Sequence, residues 1–280
     1  MLRFFTAVVV ISIACHVTAW LPADEPSPSV APPLRDREFA LLATSLAEYK
    51  IVSEAEGEAS LKLLSDPILR WSNPLRGASD GGVFLWTRSQ RPAVIACVFW
   101  RDQGQLKHEL HSFVQQKLTA TASGESVWTP SSGGLDWRPL DVPATVAANR
   151  AQRLVQMRRI ASSFEAKVIN VVKGDDRGEL LRLQPQPLYR NPEQAVGDGV
   201  MDGAIFSFVQ ATDPESLLLV EARSSPAQEP TWHVAWARMS KFAQVVSRDG
   251  AEFWRCGSTN GDLTDQNYFV RTINAARPTE

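Results

Sequence analysis

Two stretches of this sequence, "DGGVFLWT" from Asp80 to Thr87 and "DGAIFSFV" from Asp202 to Val209, commit the chain to building sheets more firmly than any other feature. In each, an Asp-Gly pair suited to a tight turn feeds an apolar run of strand length, the glycine admitting the positive φ that such turns use. Similar runs surround them. "LKLLSDPILRW", "AVIACVFW", "LKHELHSFV" and "KLTATASGESVW" lie near the first, and "LLRLQPQPLYRNP", "SLLLVEAR", "TWHVAWARM" and "FAQVVSRDGAEFW" near the second. Val, Ile, Phe and Trp crowd these runs while Gly, Pro, Asn and Asp separate them, which reads as antiparallel meanders.

A helical stripe precedes each meander. Asp36 to Lys50 sets Phe39, Leu42, Leu46 and Tyr49 on one face, and Ala148 to Lys167 sets Leu154, Met157, Ala161 and Phe164 at the same spacing. The step that takes Asp80 to Asp202 also takes Phe84 to Phe206, Pro92 to Pro214, Arg101 to Arg223 and His111 to His233. Neighbouring offsets align Arg70 with Arg190 and Trp128 with Trp254. This order predicts an internal duplication. The expected class is α+β, two pseudo-repeats of one helix packed on a curved antiparallel sheet, with a β-sandwich or barrel and two flanking helices as the alternative. Residues 36–130 would form the first half, 131–147 a turn-rich connector, 148–256 the second half and 257–280 a C-terminal extension.

The N-terminus reads as an export signal. Arg3 precedes an apolar run from Phe4 to Ala14 that is short for a membrane span, and Val17 and Ala19 are small residues placed for cleavage after Ala19. Lipid attachment at Cys15, in "SIAC", is the alternative, and only then would the chain be held at a membrane. The proline-dense "LPADEPSPSVAPPL" that follows, within residues 20–35, reads as a tether. Export to the periplasm or cell surface leaves Cys97 and Cys256 in the mature chain, so no disulfide scaffold is expected, and their pairing stays open. A net charge of −2 argues against nucleic acid or an anionic membrane as the main partner.

Several residue sets invite chemistry. "GASDG" at Gly77–Gly81 matches a nucleophile-elbow pattern around Ser79, but a strand reading follows it where that pattern needs a helix. "KHELH" holds His108, Glu109 and His111, yet on a strand the two histidines face opposite sides and cannot share a metal. No metal site or cofactor is expected. Asp80 and Asp202 could act as paired carboxylates, and His111 with His233 could join them in a hydrolase. Arg70 and Arg190, near the ends of matching strands, could bind a ligand carboxylate. With nine tryptophans in the chain, exposed indoles at Trp86, Trp100, Trp232 or Trp236 could receive sugar rings or apolar ligands.

Together, "PILRWSNPLRG", "GGVFLWTRSQRP", "HELHSF" and "DGAIFSFVQATDPESLLLVEAR", within Leu61 to Trp254, resemble a family of exported planctomycete-type bacterial proteins without an assigned activity. The resemblance implies an exported domain with this order of strands and names no catalytic residue. The expected function is a non-enzymatic binding or interaction domain of the bacterial cell envelope, whose ligand or protein partner the sequence does not identify. An envelope hydrolase and a self-associating structural component are the alternatives.

Overall fold

Runs that are apolar at successive positions suit strands covered on both faces, and this chain uses them so. The structure, a computed structural model, describes residues 34–54, 60–73, 79–102, 104–131, 134–142, 144–169, 178–193, 195, 199–225 and 228–278. The readings of an export signal, of Cys15 and of the tether up to residue 33 lie outside them. The first half contains α1 (Leu34–Ala47), β1 (Tyr49–Ser53), β2 (Lys62–Leu63), β3 (Leu69–Asn73), β4 (Ser79–Arg88), β5 (Arg91–Asp102), β6 (Gln105–Ser112), β7 (Leu118–Ala122) and β8 (Glu125–Trp128). β9 (Arg138–Leu140) leads to α2 (Arg150–Ser162), β10 (Phe164–Ile169), β11 (Glu179–Leu180), β12 (Arg182–Leu183), β13 (Tyr189–Arg190), β14 (Val200–Gln210), β15 (Asp213–Ser225), β16 (Gln228–Arg238), β17 (Ala243–Arg248), β18 (Ala251–Cys256) and β19 (Tyr268–Asn274).

Two main antiparallel sheets form the centre. One runs β19-β6-β5-β4-β2 and the other β9-β16-β15-β14-β12, with β3 added to β4 and β13 to β14. Val83, Leu85, Ile95 and Cys97 of the first meet Ile205, Leu217, Leu219 and Ala235 of the second in one buried cluster. The alternate residues face outward. Phe84, Trp86, Val98 and Trp100 pack with α1 and the small sheet β1-β7-β8, while Phe206, Phe208, Val220 and Trp236 pack with α2 and the small sheet β11-β10-β17-β18. Both faces of each central strand are therefore buried.

The expected α+β class of two helix-on-sheet repeats is corrected. Strands take up 55% of the described residues and helices 13%, and the sandwich alternative fits. A single helix is too narrow to cover a main sheet, so a second sheet shares each outer layer. Nor does either half close on itself. β9, in the expected connector, pairs with β16, and β19, in the expected C-terminal extension, pairs with β6. The backbone ladders of the two main sheets nevertheless correspond: Arg70 lies opposite Gly82 as Arg190 lies opposite Ala204, and Ile95 opposite His111 as Leu217 lies opposite Ala237. By that register the counterpart of His111 is Ala237, and the sequence alignment of His111 with His233 is out of step.

The helices end earlier than their apolar stripes predict. α1 stops at Ala47 and α2 at Ser162, so that Tyr49 and Phe164, the last members of the stripes, open β1 and β10 instead. In those strands alternate residues are buried, Tyr49, Ile51 and Ser53 in one and Phe164, Ala166 and Val168 in the other. α2 begins at a side-chain cap, the Asn149 Oδ1 accepting from the amides of Ala151 at 2.7 Å and Gln152 at 3.3 Å.

Asp80 and Gly81 lie inside β4 and not in the tight turn that the Asp-Gly pair suggests, and Gly81 is needed there because no side chain fits. A Cβ at Gly81 would lie 2.4 Å from the ring of Trp71, whereas one at Gly104 would meet nothing within 4 Å. Gly81→Ala should lower the unfolding free energy by about 1–3 kcal/mol through overpacking, and Gly104→Ala should change it by less than about 0.5 kcal/mol. Urea titration of the two variants measures the difference.

Candidate functional site

The aspartates of the echo phrase occupy corresponding strands but different environments. The side chain of Asp202 is fully buried and bound by three guanidiniums: Arg190 Nε and Nη2 at 3.1 and 2.6 Å, Arg153 Nε at 2.9 Å and Arg150 Nη1 at 3.3 Å. The Gly203 amide donates to its Oδ1 at 3.0 Å. Burial pushes the carboxyl pKa upward, but the hydrogen bonds and charges of Arg190 and Arg153 outweigh it and hold the group below its ordinary value. This cluster fastens the start of α2 to β13 and β14, since Arg153 Nη1 also donates to the carbonyl of Ala148 at 2.6 Å and Arg190 Nη2 to that of Arg150 at 2.5 Å. Asp80, part-exposed, is ion-paired with the well-exposed Arg35 at 3.7 Å.

The remaining sequence candidates scatter. Arg70 is exposed, ion-paired with Asp36 at 3.5 Å and stacked 4.6 Å from the ring centroid of Phe39. Arg190 is engaged with the buried Asp202, whereas Arg70 remains exposed on the surface. Trp86 and Trp100 lie in the outer core of the first half, Trp232 and Trp236 in that of the second, all at 4% exposure or less. The expectation of exposed indoles is corrected, because the face they occupy is covered by the helices and small sheets. Ser79 opens β4, and its side chain lies outside the described residues.

The histidines are separated too. His108 faces the outer core, its Nδ1 2.9 Å from the Tyr49 hydroxyl and its Nε2 3.0 Å from Ser45 Oγ. Burial and the charge of Arg271 lower its pKa to about 3. His111 is held by the Ser112 carbonyl at 3.0 Å and packs between Phe113 and Tyr268, where burial lowers its pKa to about 4 against the opposing carbonyl bond. His233, in β16, bonds Thr231 Oγ1 at 3.1 Å, and burial with the charge of Arg223 lowers its pKa. No hydrogen bond or ion pair joins these rings to Asp80 or Asp202 among the described residues. Cys97 and Cys256 are unbridged, and burial drives the Cys97 thiol well above its ordinary pKa, which keeps it protonated and inert.

What sequence reasoning misses is a cleft lined by residues of both main sheets. The cleft, of about 840 Å³, opens between the β4–β5 turn, the β6–β7 loop and the end of β15. Arg88, Arg91, Trp137, Glu221 and Arg223 line it. Glu221 Oε1 takes Arg91 Nη2 at 3.2 Å and its Oε2 takes Arg223 Nε at 2.8 Å. The Arg223 guanidinium lies 4.1 Å from the ring centroid of Trp137. The turn carries two adjacent non-glycine residues at positive φ, Ser89 at 47° and Gln90 at 64°, and the Tyr189 hydroxyl of the second sheet donates to the Gln90 carbonyl at 2.8 Å. Such strain persists where surrounding structure imposes it. A cleft of this size lies within the roughly 300–1,000 Å³ of small-molecule sites.

The other end of the seam holds a smaller cleft of about 380 Å³, lined by Trp71, Phe99, Arg101, Glu109, Asp213 and Lys107 among others. Ladder register relates the two. Phe99 stands where Glu221 does, Arg101 where Arg223 does, and Asp213 where Arg91 does. Lys107 Nζ grips the buried Glu109 at 2.6 Å.

Among the described residues there is no group of three or more His, Cys, Asp or Glu placed to hold a metal ion, and no helix long and apolar enough to cross a membrane. Comparison with known protein families, curated proteins and solved structures finds no match to this chain.

Two predictions follow from these environments. Asp202→Asn should cost about 3–5 kcal/mol, because it leaves buried guanidiniums uncompensated, whereas Asp80→Asn should change stability by less than about 1 kcal/mol; chemical denaturation separates them. The second concerns acid. His108 and His111 are neutral in the fold and take a proton near their ordinary 6.5 when unfolded, so stability is complete above that pH and falls below it, down to their folded values of about 3 and 4. The loss should be about 1.4 kcal/mol per pH unit for each ring, and His108→Gln should remove one ring's share of the slope between pH 6 and 4.

Proposed function

We propose that this chain is an exported, non-enzymatic binding domain of the bacterial cell envelope that receives a small ligand between its two main sheets. The observation that carries the reading is the cleft of about 840 Å³, where polar side chains from both sheets converge on one space. Fixed partners favour binding over turnover. Asp202 is enclosed by arginines, His108 and His111 are enclosed by hydrogen bonds and rings, and Cys97 is held as a thiol, so none of them stands ready beside a substrate for proton transfer. Export is supported by the N-terminal sequence and by the resemblance to exported bacterial proteins.

The test is the mass of the mature chain, recovered from a bacterial envelope and measured without denaturation. The expected result is a small excess over the chain mass that denaturation removes and that is missing in Val114→Trp, which enlarges a part-buried residue bordering both the cleft and the outer core of the first half, with circular dichroism checking that the variant folds. A bare chain in both cases, with no ligand recovered by a small-molecule screen, would sink the reading.

A further inference from the structure

Arginine is protonated at any physiological pH, and its planar fork matches carboxylate and phosphate oxygens. The larger cleft gathers such forks. Arg88 and Arg91 flank the strained Ser89–Gln90 turn at the end of the first sheet, and Arg223 reaches in from the second. Glu221, 9% exposed at its side chain, is bound by Arg91 through one oxygen and by Arg223 through the other. Asp136 also lines the cleft, but it is 64% exposed and is gripped by Arg138 through Nε at 2.9 Å and Nη2 at 2.7 Å. Arg88 donates to the amide oxygen of Gln116 at 3.5 Å, and among the described residues no carboxylate pairs with it. Among the described residues that line the cleft, three guanidiniums, Arg88, Arg91 and Arg223, accompany two carboxylates, Glu221 and Asp136, the second already engaged by Arg138.

The corresponding turn of the other sheet lacks this arginine pair, although the smaller cleft beside it has basic residues of its own, Arg101, Lys107 and Lys241, set against Glu109, Asp213 and Glu215. At the matching turn, Gln210 stands in the place of Arg88 and Asp213 in the place of Arg91, since Arg88 lies opposite Arg91 as Gln210 lies opposite Asp213. The flanking positions thus carry two arginines at one turn and none at the other, and the turns themselves differ, with positive φ at both Ser89 and Gln90 in the first but only at Ala211 in the second. A sheet turn needs no such pair. Two like charges flanking one tight turn repel each other, and a ligand of opposite sign relieves that repulsion.

Resting on the reading that the cleft is the ligand site, we propose that its ligand is an oxyanion of more than one negative charge, a phosphate ester or a polycarboxylate. Arg88 meets the oxyanion first, Arg91 and Arg223 close on it, and Glu221 is the internal carboxylate that holds those two guanidiniums in place when the site is empty. Glu221 opposes anion entry by its own charge. Its loss should therefore strengthen binding, which a purely structural ion pair would not do.

The experiment is calorimetric titration of the mature full chain with inorganic pyrophosphate and with citrate, at low salt. At least one should bind. Arg88→Gln, a part-exposed change outside the core, should weaken that binding about tenfold or more, and Glu221→Gln should tighten it, with circular dichroism checking that both variants fold. Binding should weaken as salt rises. The inference is overturned if neither oxyanion binds, or if Arg88→Gln leaves affinity unchanged. Val114→Trp, checked for folding in the same way, separates the cleft from the anion. A neutral ligand that co-purifies with the native chain and is excluded by this substitution would keep the cleft and overturn the anion; pyrophosphate binding that survives it would place the site elsewhere and overturn both.

Discussion

The structure depends on the burial of one sheet face against another. Val83, Leu85, Ile95 and Cys97 on one side and Ile205, Leu217, Leu219, Ala235 and Ala237 on the other form a seam from which water is excluded. Because β4, β5, β14 and β15 are apolar on their other faces as well, closing the seam leaves two further apolar surfaces. α1 with one small sheet, and α2 with another, cover those surfaces. The layers are thus consequences of strands that have no polar side to show.

The seam also explains the exchange of strands. A main sheet ending at β6 or at β16 would present unpaired backbone groups along an exposed edge, the template for unwanted pairing. β19 caps β6 and β9 caps β16, and each comes from chain that follows the opposite half in sequence. The turns are tied across in the same reciprocal way, Gln90 to Tyr189 and Thr212 to Ser72. Charge breaks this correspondence. Asp202 became a buried anchor for α2 where Asp80 stayed near the surface, and Arg88 and Arg91 flank one turn where Gln210 and Asp213 flank the other.

Much of the strand order is legible in the residues, because β-branched and aromatic runs between Gly, Pro and Asp have one economical use. The tryptophans show where such reading stops. Period-two alternation distinguishes the two faces of a strand but not which one meets solvent, and here neither does, so Trp86, Trp100, Trp232 and Trp236 went into the core. The helix stripes overran for a related reason: Tyr49 and Phe164 continue the apolar spacing but do so as the first buried residue of a strand. His111 and His233 were aligned by a constant step that loop lengths do not preserve, and ladder register moves the partner of His111 to Ala237.

By itself, the sequence determined that this chain builds antiparallel sheets, that two helices precede its two meanders, and that Asp80 and Asp202 introduce comparable central strands. Those are local matters, set by side-chain shape, turn chemistry and spacing within a few residues. Only the tertiary structure decided that the sheets stack face to face, that β9 and β19 cross between halves, and that Arg91 meets Glu221 across 130 positions of chain. Long-range pairing depends on which apolar faces find each other, and the cleft is lined by residues of both main sheets. No spacing along the chain encodes that meeting.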